Sequence, residues 1–243
     1  MEESIYNSVH KFPHLKSVIS TKKEHSTSTN KSSCKEYITR NLKGYKDEDD
    51  VFLKECTKIA DNLTEILSDS TSTELNFCKY MNYMFYDMLK SMKSFQYYRL
   101  LNQFYTNIQN FKVCLENTED IDNDTYEELK ILYELYDDFI EFKKESLMKN
   151  DEPCKHGTKC VEHYTTYAKK CKNNYNNNFC MILIDFRKEY EDCKKKFTPL
   201  GAWLRPRLPG GKKKADTLDH KMKELKNNSK TEDTSYKVPY HSS

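Results

Sequence analysis

The hydrophobic pattern along the chain is helical almost throughout, and it is strongest between positions 77 and 89. Large residues in this run recur every three or four positions, at 77/78, 81, 84/85 and 88/89, and this spacing places them on one face of a helix. Lys79, Asn82 and Asp87 fall on the other faces. Thr71 and Glu74 precede the run and are spaced to form a capping box at the helix start. We therefore predict a helix that is buried along one broad side.

Five further stretches of the chain show the same periodicity. They cover residues 47–67, 95–116, 124–142, 157–173 and 179–195. Acidic residues begin the first of these stretches, where they complement the positive end of the helix dipole. Asp124 and Glu127 are spaced to form a capping box at the start of the third. The sequence therefore predicts an all-α fold of about six helices.

The two ends of the chain lack this pattern. Residues 1–33 are polar, with a cluster of Ser, Thr, Lys and Asn from position 20 onwards, so we expect a loose arm with one short helix around Tyr6–Val18. Cys34 is expected to tether the end of this arm. The predicted organisation is an N-terminal arm (1–45), a helical cysteine-containing domain (46–195) and a mostly disordered C-terminal tail (196–243).

The nine cysteines give the clearest information about the redox compartment in which the protein resides. Five of them lie within forty residues, and such a density is typical of exported domains held by disulfides and unusual in a reducing cytosol. Cys56, Cys78 and Cys114 each lie on the apolar side of a different predicted helix, which fits disulfides between helices but also fits buried thiols. The spacing does not fix the pairing. The candidates for structural disulfides are Cys56, Cys78, Cys114, Cys154, Cys160, Cys171, Cys180 and Cys193.

Composition and charge exclude several classes of function. The chain has 40 Lys and Arg against 38 Asp and Glu, so no overall basic field favours nucleic acid as a partner. None of the five glycines lies in a dinucleotide-binding or Walker-type motif. The 18 tyrosines and 12 phenylalanines suggest a Tyr-rich helical core whose hydroxyl groups reach water.

One group of residues has the chemistry of a metal site. Two thiolates and two imidazoles from Cys154, His156, Cys160 and His163 would make a tetrahedral zinc site. The spacing matches no standard zinc module, and the cysteine density around it favours disulfides. No family signature surrounds these residues as a Cys-His catalytic pair either. We therefore expect no metal, no other cofactor and no enzymatic activity.

Neither a standard signal peptide nor a membrane span is predicted. Residues Met1–Tyr6 have no basic n-region and no apolar h-region. The best apolar run, residues 179–186, includes Asp185 and is far shorter than the roughly 20 residues needed to cross a bilayer. We expect the chain as written to be soluble, and any export to depend on a signal other than a standard signal peptide.

Three blocks of the sequence resemble the Plasmodium interspersed repeat proteins, in their vir-type branch. The blocks are ECTKIADNL at 55–63, CKYMNYMFYD at 78–87 and the cysteine series from 154 to 193. The second block is similar to the family pattern C-x-Y-L-N-Y-W-L-Y-D. Met84 stands here in place of the usual Trp and Phe85 in place of the usual Leu, so the apolar character is kept.

The C-terminal region extends this resemblance to about residues 45–243. FTPLGAWLRPR at 197–207 is similar to a family segment that follows a transmembrane helix and precedes a charged cytosolic tail. Here the chain runs from Cys193 through three lysines directly into Phe197. The membrane span that the family implies is therefore missing from this position. For the lysines at 212–214 we favour a solvated, disordered tail over a patch that binds anionic lipid.

The resemblance implies a non-enzymatic variant antigen of malaria parasites. It implies export to the infected red cell, at its surface or in the host cytoplasm, with roles in immune evasion and host-receptor adhesion. The implied partner is a host cell-surface receptor or an antibody, and membrane association is implied for the family. The alternative is a soluble exported interaction or trafficking factor inside the host cell. Loops near 68–73, 117–124 and 173–178 are predicted to be exposed and to carry variation or contacts.

Overall fold

Helices account for all regular secondary structure in the part of the chain that the computed structural model describes, which is residues 4–23, 29–69, 71, 73–92, 96–147, 155–173 and 177–196. The α-helices are α1 Ile5–Ser8, α2 Phe12–Ser20, α3 Thr29–Asn41, α4 Val51–Asp61, α5 Leu63–Leu67, α6 Glu74–Leu89, α7 Tyr97–Asn107, α8 Asn123–Leu147, α9 Lys155–Ala168 and α10 Asn178–Lys196. Shorter 3₁₀ segments are Val9–Lys11, Glu48–Asp50, Gln109–Asn117 and Lys169–Asn173. The predicted all-α fold with disulfides is confirmed. Of the predicted C-terminal tail, residues 197–243 lie outside the described residues, and Lys196 is the last residue of α10.

The chain divides into an N-terminal unit, residues 1–136, and a C-terminal unit, residues 137–243, and the boundary falls inside α8. Two predicted helices of the N-terminal unit are interrupted. The first breaks at Asn62, which has a non-helical backbone (φ −114°, ψ 14°) between α4 and α5. The other breaks at Ile108, whose extended backbone separates α7 from the 3₁₀ segment that follows. The periodicity continues across both breaks because each new segment still buries apolar residues.

The central helix of the N-terminal unit is α6, and it is buried around most of its circumference rather than on one side only. Phe77, Met81 and Leu89 are fully buried, as expected, but Lys79 and Asn82 are buried as well. The prediction that these two polar residues face away from the core is therefore wrong. Large side chains occur at almost every angle around this helix, which is the pattern of a helix surrounded by other elements. Its cap is the Thr73 hydroxyl, which accepts from the backbone N–H of Asn76 at 3.2 Å.

The described residues of the N-terminal arm are not loose, so that part of the prediction is wrong. The short helix predicted around Tyr6–Val18 is present as α1, the 3₁₀ segment Val9–Lys11 and α2. Ile5, Val9 and Phe12 have no exposed surface, and the Phe12 ring packs edge-on against Tyr80 of α6 at 5.5 Å. Apolar residues at positions 5, 9, 12, 15 and 19 form one helical stripe. The polar cluster that follows position 19 made the arm as a whole look loose in the sequence despite this short stripe.

An aromatic cluster forms the centre of the N-terminal unit. The rings of Tyr37, Phe52, Phe85 and Phe104 contact one another at centroid distances of 5.0–6.4 Å. They come from α3, α4, α6 and α7, so the cluster joins four helices. The Tyr37 hydroxyl does not reach water but donates to the carbonyl oxygen of Leu100 at 2.8 Å. Burial raises the pKa of this phenol far above its usual value, which keeps it neutral.

The C-terminal unit contains the end of α8 together with α9 and α10, the two helices that were predicted at 157–173 and 179–195. The Phe139 ring of α8 packs edge-on against Phe186 of α10 at 5.2 Å. Tyr164 of α9 stacks on Phe186 from another side at 6.3 Å. Phe186 therefore connects all three helices of this unit.

Candidate functional site

Three disulfides hold the described parts of the fold. They are Cys34–Cys56, Cys78–Cys114 and Cys171–Cys180. The Cα–Cα distances of 6.1, 5.1 and 5.6 Å lie within the usual range for disulfides. The first joins α3 to α4, the second joins α6 to the 3₁₀ segment after α7, and the third joins the 3₁₀ segment after α9 to α10. Five members of the predicted set are thus paired, and Cys34, expected only to tether the arm, supplies the sixth sulfur.

The remaining members of the set lie in or near the C-terminal unit. Cys160 and Cys193 are buried and belong to none of these three disulfides, and Cys154 lies outside the described residues. Burial raises the pKa of the Cys160 thiol to about 12, with the negative charge of Asp138 as a further cause. A thiol with so high a pKa is protonated at neutral pH, so it is a poor nucleophile.

The structure describes the side chains of only two of the four residues in the predicted zinc site, Cys160 and His163. Cys154 and the side chain of His156 lie outside the described parts of the chain. His163 lies with Nδ1 3.5 Å from Oδ2 of Asp138, a carboxylate on α8. Within the described residues, no three His, Cys, Asp or Glu side chains are grouped closely enough to hold a metal ion.

A groove on the N-terminal unit combines apolar and charged lining residues. It lies between α2, α4, α6 and α8 and has a volume of about 270 Å³. We call it the α6 groove. Its lining residues are Lys16, Ile19, Ser20, Val51, Glu55, Lys58, Tyr80, Tyr83, Met84, Asp87, Met88 and Tyr133. This volume lies near the lower end of the roughly 300–1,000 Å³ of small-molecule sites. A groove of this size can hold a protruding side chain of a larger partner.

The floor of the α6 groove is apolar and its rim is charged. Met84 and Met88 are half-buried on the floor, and Met side chains adapt easily to a partner's shape. Burial raises the pKa of Tyr80 and of Tyr83 far above the usual value, so both phenols stay neutral. Val51 contributes an exposed apolar side chain at the rim, with 51% of its surface accessible.

Most rim charges are already matched by neighbours. Glu55 pairs with Lys58 at 2.5 Å, and the Lys16 ammonium lies 5.4 Å from the centre of the Tyr133 ring. Asp87 accepts from Lys90 at 2.6 Å and from the hydroxyl of Tyr126 at 2.5 Å. Burial of Asp87 raises its pKa, but these two hydrogen bonds outweigh it and hold the pKa below its usual value. The groove therefore offers a partner apolar contact area within a nearly neutral rim.

A buried ion pair fixes the other side of α6. Lys79 has 1% of its side chain exposed, and its ammonium donates to Oε2 of Glu119 at 2.8 Å. The same carboxylate oxygen accepts from the backbone N–H of Ile5 at 3.0 Å. One carboxylate thus connects the central helix, the N-terminal helix and the segment before α8.

Asn82, one turn further along α6, uses its backbone and side chain in three hydrogen bonds. Its side-chain amide donates to the carbonyl oxygen of Asn117 at 2.9 Å, and its Oδ1 accepts from the Tyr105 hydroxyl at 2.7 Å. The Tyr97 hydroxyl donates to its backbone carbonyl oxygen at 3.0 Å. Together with the burial of Ile121, these contacts show that the 117–124 loop, predicted to be exposed, is in part anchored to the core.

The other two predicted loops are described only in part. In the 68–73 loop, residues 68, 71 and 73 are exposed, while 70 and 72 lie outside the described residues. The 173–178 loop has residues 174–176 outside the described part, and Asn178 is exposed.

A comparison with protein families shows the family to which the chain belongs. The family model for the Plasmodium vivax Vir protein matches residues 16–195, well over half of the chain. The chain belongs to the Vir family. Vir proteins are variant antigens of Plasmodium, and the matched region of this one contains the three disulfides and the α6 groove. No curated protein and no solved structure matches the chain.

Two of the blocks that carry the Vir resemblance contribute to the same groove. Glu55 and Lys58 come from the first block, and residues from Tyr80 to Asp87 come from the second. The sequence analysis missed this site because four helices far apart in the sequence build it. Among the described helices of this Vir protein, none combines the length and apolarity needed to cross a membrane.

Proposed function

We propose that this Vir protein is a non-enzymatic variant antigen that is exported to the infected red cell and acts in immune evasion and host-receptor adhesion. The family match over residues 16–195 carries the proposal. The three disulfides support export, because a reducing cytosol does not favour such bonds. The partner is a host cell-surface protein or an antibody, with no role for nucleic acid.

We further propose that the α6 groove is the adhesion surface. Its apolar floor and nearly neutral rim suit an uncharged, apolar side chain of a host receptor protein. Exposed apolar surface bordered by polar residues is characteristic of protein interaction sites. Val51 is the most exposed apolar residue of the groove lining, since half of its surface is accessible in the structure.

Localisation is tested with antibodies raised against the recombinant, disulfide-bonded chain. Infected red cells are stained intact and after permeabilisation, and intact cells are also treated with trypsin before staining. We expect staining of intact cells that trypsin removes. Staining only in permeabilised cells would contradict surface display and would support the interaction or trafficking factor inside the host cell.

Adhesion is tested with beads coated with the full chain and applied to host endothelial and blood cells. Val51→Arg places a charge at the groove rim, and we expect it to abolish bead adhesion. Met181→Arg is the matched control, since Met181 lies on α10 and has a similar exposed fraction of 53%. Equal adhesion by the two variants would refute the assignment of the groove.

A further inference from the structure

Helices α9 and α10 form an antiparallel pair with a disulfide near one end. The Cys171–Cys180 bond joins the 3₁₀ segment after α9 to the start of α10, close to where the chain passes from one helix to the other. Farther along both helices, the Tyr164 ring of α9 stacks on the Phe186 ring of α10 at 6.3 Å. Among the residues that the structure describes, no disulfide links the two helices at their other end.

Two buried cysteines, Cys160 of α9 and Cys193 of α10, lie toward that other end. Cys160 precedes Tyr164 by four residues, and Cys193 follows Phe186 by seven. Steps of four and seven residues return to the same side of a helix. Each cysteine therefore lies on the side of its helix that carries the ring contact with the other helix.

The two cysteines also lie at nearly the same level along the helix pair. Counted from the Cys171–Cys180 disulfide, Cys160 is eleven residues back along the chain and Cys193 is thirteen residues forward. At about 1.5 Å per residue, these steps are about 17 Å and about 20 Å. The difference of about 3 Å is less than one helical turn, so the two residues lie across from each other between α9 and α10.

The electrostatic surroundings of Cys160 indicate the same neighbour. Burial is the main cause that raises the pKa of its thiol, followed by the negative charge of Asp138 on α8. Glu145 of α8 and Cys193 of α10 are smaller causes of the same direction. Because such an effect requires a titrating group nearby, it supports a short separation between the two sulfur atoms.

We propose that Cys160 and Cys193 are a redox pair that a small-molecule disulfide, such as oxidised glutathione, converts into a disulfide bond between α9 and α10. One thiolate of the pair attacks a sulfur atom of oxidised glutathione, which forms a mixed disulfide and releases one glutathione. The second thiolate attacks the protein sulfur of that mixed disulfide and releases the other glutathione. The protein loses two electrons and two protons, and the two glutathione thiols receive them.

The new bond closes the end of the helix pair that lies opposite Cys171–Cys180. It concerns the covalent state of the C-terminal unit, so it does not depend on the proposed adhesion through the α6 groove. Both ends of α10 are then joined covalently to the α9 region, and the helix cannot separate from its neighbour.

Burial determines when this bond forms and breaks. In the folded chain the Cys160 thiol is protonated at neutral pH because its pKa is about 12, and only a thiolate attacks a disulfide. Oxidation is therefore faster while the chain folds, before α8, α9 and α10 enclose the thiols. Once formed, the bond resists reduction, since a thiol of high pKa is a poor leaving group.

The test is oxidative refolding of the full chain in a buffer of reduced and oxidised glutathione, followed by a count of reactive thiols in urea without reductant. The chain has nine cysteines. Four disulfides leave one reactive thiol, whereas the three disulfides Cys34–Cys56, Cys78–Cys114 and Cys171–Cys180 alone leave three. We expect one reactive thiol per chain in the monomer fraction, and a count of three would overturn the proposal.

Tryptic digestion without reduction identifies the bonded partners, because lysines separate the three cysteines in question. Cys154, Cys160 and Cys193 fall in the peptides 150–155, 160–169 and 189–194, respectively. We expect mass spectrometry to find peptide 160–169 joined to peptide 189–194. Either of these peptides joined to 150–155, or to glutathione, would overturn the assignment.

Cys154→Ser is the matched control variant, since it removes a cysteine outside the proposed pair. It should leave no reactive thiol after refolding and should keep peptides 160–169 and 189–194 joined. The variant Cys160→Ser/Cys193→Ser should leave one reactive thiol, as in the parent, but lose amide-exchange protection at the C-terminal end of α10. Equal protection in the parent and in this double variant would overturn the role of the bond in holding α10.

Discussion

Glu119→Gln should destabilise the N-terminal unit by about 2–3 kcal/mol. The substitution keeps the size of the side chain but removes the negative charge that faces the buried ammonium of Lys79. Removing one partner of a fully buried ion pair costs about 3–5 kcal/mol, because the other charge remains desolvated. Glu119 has 28% of its side chain exposed, so water screens part of this cost and the lower range applies.

The assay is urea unfolding of the full chain, followed by far-UV circular dichroism under conditions that keep the disulfides. Glu116→Gln is the control, since it makes the same change at an exposed position three residues earlier in the chain. We expect the control to remain within about 0.5 kcal/mol of the parent, as is usual for surface substitutions. For a chain of this size, the Glu119 variant should also lower Tm by roughly 5–10 °C.

A double variant separates lost charge compensation from lost packing. Replacing Lys79 by Met in the Glu119→Gln background removes the uncompensated ammonium and retains a long apolar side chain, so part of the lost stability should return. The reasoning would be refuted if Glu119→Gln behaved like Glu116→Gln, or if adding Lys79→Met to Glu119→Gln destabilised the protein further.

Three further predictions concern other contacts of the N-terminal unit. The pKa of Asp69 should lie near 2, chiefly because the Thr71 hydroxyl donates a hydrogen bond to its carboxylate, so Thr71→Ala should raise this pKa. NMR titration of the Asp69 carboxyl carbon measures the pKa in the parent and in the variant. The native contacts of Asp69 should weaken only as the pH falls from about 4. Replacing Cys34 and Cys56 together by Ala should lower the free energy of unfolding by about 3 kcal/mol, as loop-closure entropy predicts for this separation, with loss of amide-exchange protection in α3; retained protection would contradict this. Tyr105→Phe should cost about 1–2 kcal/mol in urea unfolding, since it leaves a buried amide oxygen of α6 without its hydroxyl donor, and a change below about 0.5 kcal/mol would count against it.

The helices could be predicted because their signals are local. The spacing of large residues from 77 to 89 and the acidic residues at 47–50 act within one or two turns, and the structure places helical segments at both. The Vir resemblance was visible for a similar reason, since its most specific block lies within α6.

The burial of the polar residues within these helices, and the partners they contact, could not be predicted in the same way. The burial of Lys79 depends on Glu119, forty positions away, and that of Asn82 depends on Asn117 and Tyr105. No periodicity within α6 encodes such partners. One signal was nevertheless present, because a helix with large side chains at nearly every angle is buried around most of its circumference and leaves few exposed positions, such as that of Asp87, for polar residues. The α6 groove was beyond prediction, because it requires the packing of α2, α4 and α8 around α6.

The order of the disulfides along the chain has a consequence for how members of the family can diversify. The three bonds follow one another without crossing, and their cysteines are separated by 22, 36 and 9 positions. A recombination event between two gene copies anywhere within codons 57–77 or 115–170 keeps both cysteines of each pair in the same fragment. Segments can thus be exchanged between copies without leaving any of these six sulfurs without its partner. In this chain the bonds that stabilise the fold also divide it into separately inheritable modules.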